Sequence, residues 1–158
     1  MPSENNKAIQ SILAPIFKRH GFKRKGATWY FQTSEFTTVF NIQGSQFGPS
    51  FYLNMGVYIR SLGEKEIPMS YDCHVFIRLD GIVPDPKRLQ ELLDFETTVP
   101  SDKRFQELAS LVENHAIPWL LKMCSKEQLK AFLIDQNILS IHKVARDYLG
   151  MSDATGTA

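Results

Sequence analysis

The chain has 158 residues, 43% of them hydrophobic and 22% charged, which is enough for one ordinary globular domain burying about 70% of its unfolded surface. A formal net charge of +1 excludes a global field that would draw it to nucleic acid or to an anionic membrane. Two cysteines, Cys73 and Cys124, stand in no metal or redox spacing and suit a reducing compartment. The opening MPSENNKAIQ has no signal-peptide pattern, and no apolar run approaches the ~20 residues of a membrane helix, so a cytoplasmic protein is the expectation.

Residues 5–20 read as an amphipathic helix. Ala8, Ile9, Ile12, Leu13, Ile16 and Phe17 recur at three- and four-residue spacing, and Lys18, Arg19 and His20 place cations in its last turn. Gly21 suits the stop. Pro15 argues for a kink or break, because proline inside a helix costs about 3 kcal/mol. From Thr28 to Leu79 the period becomes two, and four strands are predicted near 28–32, 36–44, 50–59 and 73–79. A hairpin through Gly44–Ser50 that pairs Ser45 with Ser50 would set Asn41 against Asn54, Gln43 against Tyr52 and Thr37 against Tyr58. That register keeps the apolar positions on one side.

The remainder reads as helical. Asp85-Pro86 opens a helix to about Leu93. Pro100-Ser101 opens one to about His115, and Pro118 starts a short turn. Ser125 to Gln128 has the form of a capping box, and a last helix spans about Leu139 to Leu149 with Gly150 as its stop. The plan is α+β: an N-terminal helix, a four-stranded antiparallel sheet, and C-terminal helices covering mainly the apolar sheet face. One domain over residues 1–150 and a mobile tail over 151–158 are expected.

Several short stretches, in this order, resemble an uncharacterised bacterial family, domain of unknown function 4304. They are Gly21-Phe22-Lys23-Arg24, then Val39 to Gln43, then Phe51 to Tyr58, then Cys73-His74 and Arg78-Leu79. The resemblance implies the architecture and brings no activity or catalytic residue with it.

Alternation places Asn41, Gln43, Tyr52, Asn54, Tyr58, His74 and Arg78 on one face, with Tyr30 beside them. The other face takes Phe40, Ile42, Phe51, Leu53, Met55, Val57, Val75 and Ile77. Amides, phenols, an imidazole and a guanidinium offer donors and acceptors in several directions, and the two central strands carry no Lys or Glu on this side, unlike an ordinary wet face. Three accounts compete: a ligand or partner site, a plain solvated face, and a polar network buried under a later helix. Full burial without hydrogen bonds would cost about 1–3 kcal/mol per group.

The leading functional expectation is a non-enzymatic binding domain whose polar face takes a protein or small-molecule partner, with no cofactor and no metal. One alternative is a small enzyme using His74 as acid or base and Arg78 on an anionic substrate. Cys73 should point away from His74, which argues against a Cys–His dyad. The four histidines show no ligand spacing. The other alternative is a single-strand nucleic-acid binder. Residues 1–30 hold six of the 18 Lys and Arg against one acid, Glu4, so they carry +5 and the remainder −4. Nucleic acid is disfavoured as a partner all the same, because the face itself supplies only Arg78 as a fixed cation.

Overall fold

The computed structural model describes residues 2–138 and 141–151. Helix α1 spans Glu4–Arg19. Ser3 caps it by accepting from the Asn6 N–H at 3.1 Å. The helix passes through Pro15 without a break, and the reason is the face it buries. Ile9, Leu13, Ile16 and Phe17 are all buried, each worth about 1.5–3 kcal/mol, which outweighs the proline cost. Phe17 is the keystone, stacked on Trp29 at 4.9 Å and packed on Phe40 at 4.8 Å.

The sheet has five strands in the order β1-β2-β3-β4-β5, each antiparallel to its neighbour. They are β1 Lys23–Lys25, β2 Thr28–Gln32, β3 Phe36–Gly44, β4 Phe51–Ile59 and β5 Val75–Arg78. The short β1 was not expected, since three exposed cations show no alternation. The β3–β4 register is the expected one: Asn41 faces Asn54, Gln43 faces Tyr52 and Thr37 faces Tyr58. The Ser45 N–H donates to the Ser50 carbonyl at 2.8 Å.

After the sheet come α2 Pro86–Leu93, α3 Ser101–Leu111, α4 Ile117–Lys122, α5 Lys126–Asp135 and α6 Lys143–Leu149. Asp85 caps α2 through the Arg88 N–H, and Ser125 caps α5 through the Gln128 N–H. Helices α3 and α4 are one run rather than two, joined by a π turn over Val112–Ala116. Pro118 explains the wider turn: it has no N–H and its ring needs room against the preceding carbonyls. Helix α6 starts later than expected, at Lys143; Leu139 and Ser140 lie outside the described residues, as does the tail beyond Met151. Gly150 ends α6 with φ +67°, the left-handed stop that glycine supplies cheaply.

The helices and the apolar sheet face share one core. Trp29, Phe40, Leu53, Met55 and Val57 meet Leu13 and Phe17 of α1 and Leu120, Leu129 and Leu133 of the later helices. Among the described residues no helix is long and apolar enough to cross a membrane.

Candidate functional site

The register builds the polar face as a row across four strands. Thr28 pairs with Asn41, Asn41 with Asn54, and Asn54 with Arg78. Cross-strand neighbours lie close enough to touch, and here they are linked by hydrogen bonds. Asn41 Nδ2 donates to Thr28 Oγ1 at 3.0 Å. Asn54 Nδ2 donates to Asn41 Oδ1 at 3.2 Å and to Gln43 Oε1 at 2.8 Å. Arg78 Nε donates to Asn54 Oδ1 at 3.2 Å. Asn54 is only 2% exposed, and these bonds are what makes its burial tolerable.

Arg78 is held twice. Its Nε bond fixes one edge of the guanidinium, and the guanidinium carbon lies over the Tyr52 ring, 4.0 Å from its centroid. Among the described residues its two terminal nitrogens have no hydrogen-bond or ion-pair partner. Arg78 and Gln43 are exposed, while Tyr52 and Asn41 are half-buried. This end of the face is open.

The other end is closed by the connection between β4 and β5. Residues 60–74 fold back across the sheet as a strap containing two short 3₁₀ turns, Arg60–Leu62 and Ser70–Asp72. Tyr58 lies beneath it, 3% exposed, its hydroxyl accepting from the Lys65 N–H at 3.1 Å. Tyr30 and Thr37 are buried there as well. His74 packs on Tyr58 with ring centroids 4.9 Å apart. The His74 Nδ1 accepts from the Ile59 N–H at 2.9 Å, so the neutral ring carries its proton on Nε2. Burial, and secondarily His142, push the His74 pKa below the usual imidazole value.

Cys73 sits where alternation did not put it. Strand β5 begins only at Val75, so residue 73 belongs to the strap, and its sulfur lies over Gly56 on the polar side. A Cβ at Gly56 would fall 2.6 Å from that sulfur, and only glycine admits so close an approach. The thiol donates to the Met69 carbonyl at 3.5 Å. Burial, with Asp72 adding to it, pushes its pKa up to about 12. It is a packed thiol rather than a nucleophile.

His74 and Arg78 do not converge. They are four residues apart, roughly 13 Å along an extended chain, and they line different hollows. The aromatic residues do not gather into one open row: Tyr30 and Tyr58 are buried, Tyr52 is capped by Arg78, and Phe76 alone of them is exposed. The N-terminal cations are partly engaged in structure. Arg19 and His20 each reach Glu113 at 3.3 Å, and Arg24 lies 5.1 Å over Trp29. No cluster of three or more potential metal-ligating His, Cys, Asp or Glu side chains occurs among the described residues.

Beside Arg78 lies a cleft of about 270 Å³. It arises from a gap in the sheet edge. Strand β5 pairs with β4 only from Asn54 onward, and Ser50 forms a bridge to Asp94. Phe51, Tyr52 and Leu53 therefore have no strand partner on that side. Because Ser45 and Ser50 are a hydrogen-bonded pair, alternation turns the backbone groups of Phe51 and Leu53 toward the gap. Helix α2 walls it with Leu89, Gln90 and Leu93, and Asp80 and Asp94 flank it. Sequence reasoning missed the acidic and α2 residues. The signal available was the short link from β5 to the Asp85-Pro86 helix start, which obliges α2 to pack beside this edge.

No curated protein and no solved structure matches the chain. The family model described as Domain of unknown function (DUF4304) matches residues 13–122, from the middle of α1 through the whole sheet to the end of α4, and the chain belongs to that family.

Proposed function

We propose that the protein is a binding domain that engages a protein or small-molecule partner through the open end of its polar sheet face. One observation carries this reading: Arg78 is held in place by Asn54 and Tyr52, is exposed, and has terminal donors unused among the described residues. A guanidinium immobilised in advance loses little entropy on pairing with a carboxylate or phosphate. Gln43 adds to it, since Asn54 occupies its amide oxygen and leaves its amide nitrogen free to donate. The partner is thus an acceptor-bearing one. Both cysteines are free thiols, which supports a reducing, cytoplasmic setting.

The test is retention. The wild-type chain and a Gln43→Glu/Arg78→Gln variant, which keeps an acceptor for Asn54 while removing the free amide donor, are immobilised and exposed to a cell extract, and retained proteins and small molecules are identified by mass spectrometry. At least one species should be held by the wild type and lost by the variant while the variant's melting temperature stays within a few degrees. Identical retention profiles would defeat the proposal.

A further inference from the structure

We infer that the cleft between the β4 edge and α2 binds a small zwitterion of the amino-acid or dipeptide kind with an apolar side chain. The inference rests on the reading of the Arg78 end as a binding site and names the ligand class for it.

The lining supplies each part of such a ligand. Arg78 offers two parallel N–H donors, the geometry that a carboxylate accepts at both oxygens. Asp80 and Asp94 lie in the same cleft and form no ion pair among the described residues. Their known bonds are to neutral donors: Gln90 Nε2 reaches Asp80 Oδ2 at 3.3 Å, and the Glu96 N–H reaches Asp94 Oδ1 at 3.0 Å. One oxygen of each carboxylate is left for an ammonium. A phosphate dianion would meet two like charges here, and a polycation would meet Arg78, so a ligand carrying one charge of each sign fits best. Leu89 and Leu93 give an apolar wall. The bridges of Ser50 to Asp94 and of Asn54 to Arg78 use the Phe51 N–H and the Leu53 C=O; the Phe51 C=O and the Leu53 N–H remain to pair with a peptide N–H and C=O, as an added strand would. The volume of about 270 Å³ has room for one or two residues and not for a longer strand.

The experiment uses the full chain labelled with ¹⁵N and titrated with L-leucylglycine and L-leucine. Millimolar dipeptide should give saturable shifts at the Tyr52, Leu53 and Gln90 amides. Blocking the ammonium (N-acetyl-leucylglycine) or the carboxylate (leucylglycinamide) should weaken binding at least fivefold. Arg78→Gln and Asp94→Asn should each do the same while the rest of the spectrum is preserved; the second variant keeps the Glu96 contact, so the test survives if the first fails to fold. Inorganic phosphate should not displace the dipeptide. The inference is overturned by absence of saturable shifts for both probes at 20 mM, by a loss below fivefold on blocking either end, or by displacement with equimolar phosphate. If the zwitterions fail while retention from extract still depends on Gln43 and Arg78, only the ligand class falls. If that dependence is also missing, the binding reading falls with it.

Discussion

Replacing Arg104 should cost more stability than any other charge change in the molecule. Its side chain is 3% exposed and lies under the end of α2, where the last carbonyls of a helix have no partner within it. Nη1 donates to the carbonyls of Glu91 at 3.2 Å, Leu92 at 2.6 Å and Asp94 at 3.0 Å. Nη2 donates to the carbonyl and hydroxyl of Thr97 at 3.2 and 3.1 Å. The group also lies 4.5 Å over the Phe95 ring. Glu91 and Asp94 have further donors, but among the described residues the Leu92 and Thr97 carbonyls have Arg104 as their donor. Arg104→Met fills similar space and orphans those two oxygens. At about 1–3 kcal/mol for each buried unsatisfied group, the loss should be about 3 kcal/mol, or roughly 6–12 °C in melting temperature for a chain of this size. Arg104→Lys should recover only part of this, since one ammonium cannot span both carbonyls. Urea unfolding followed by circular dichroism measures it. A loss under about 1 kcal/mol with an unchanged denaturant slope would refute the account of Arg104 as the cap of α2.

Asn54→Ala should cost about 2 kcal/mol, because it strips Asn41, Gln43 and Arg78 of a shared partner at a buried position; a urea midpoint within error of wild type would show the row to be dispensable. His74 gives a pH dependence. Its pKa is lowered in the folded state, so the unfolded chain binds more protons below about pH 6.5 and stability falls as pH drops through that value. Melting temperatures between pH 7.5 and 5.5 should decline in the wild type and decline less in His74→Gln; equal slopes would contradict this. Cys73, with its pKa near 12 against an ordinary value of about 8.5–9, should hold about a thousandfold less thiolate at pH 8 than a free thiol. Iodoacetamide should label it correspondingly slowly in the native protein, and fast labelling would place the sulfur elsewhere. Gly56→Ala should lower stability by about 1–3 kcal/mol through overpacking against Cys73, read as a drop in melting temperature; an unchanged value would mean the strap shifts freely.

The sheet was legible because its signals are local and periodic. Strands 28–32 and 36–44 match in both bounds, and the Ser45–Ser50 register follows from keeping Phe40, Ile42, Leu53 and Met55 on one face. The caps at Asp85, Ser125 and Gly150 are likewise written in single residues. What could not be read depends on contacts distant in sequence or on backbone. Arg104 looks like any helix-surface arginine, since its partners are carbonyls of ordinary residues. The strap shows no periodicity, so nothing in residues 60–74 announced that they would cover Tyr58 and hide Tyr30. Of the seven candidate residues, Asn41, Gln43, Tyr52, Asn54 and Arg78 form one bonded group, while Tyr58 and His74 lie with the strap. Neither a solvated face nor a helix-covered network describes the result. The face is divided, with a network of its own at the open end.

The strap also bears on how members of the family can differ. Neighbouring antiparallel strands such as β4 and β5 need only a two-residue turn, and a loop of this length costs about 2 kcal/mol more to close. It is anchored along its length: Arg60 on Thr33 and Glu35, Lys65 on Tyr58, Glu66 on Gln32, Met69 beside Thr28, and His74 on Val57 and Ile59. Leu62 packs on the core, but Gly63 to Ile67 are solvent-exposed, so the length past Leu62 can change with the core left in place. A shorter version would uncover Tyr30, Val39 and Tyr58 and enlarge the accessible surface toward β2; a longer one could reach Gln43. The extent of polar face left open would then be set by the length of one loop, over a sheet that stays the same.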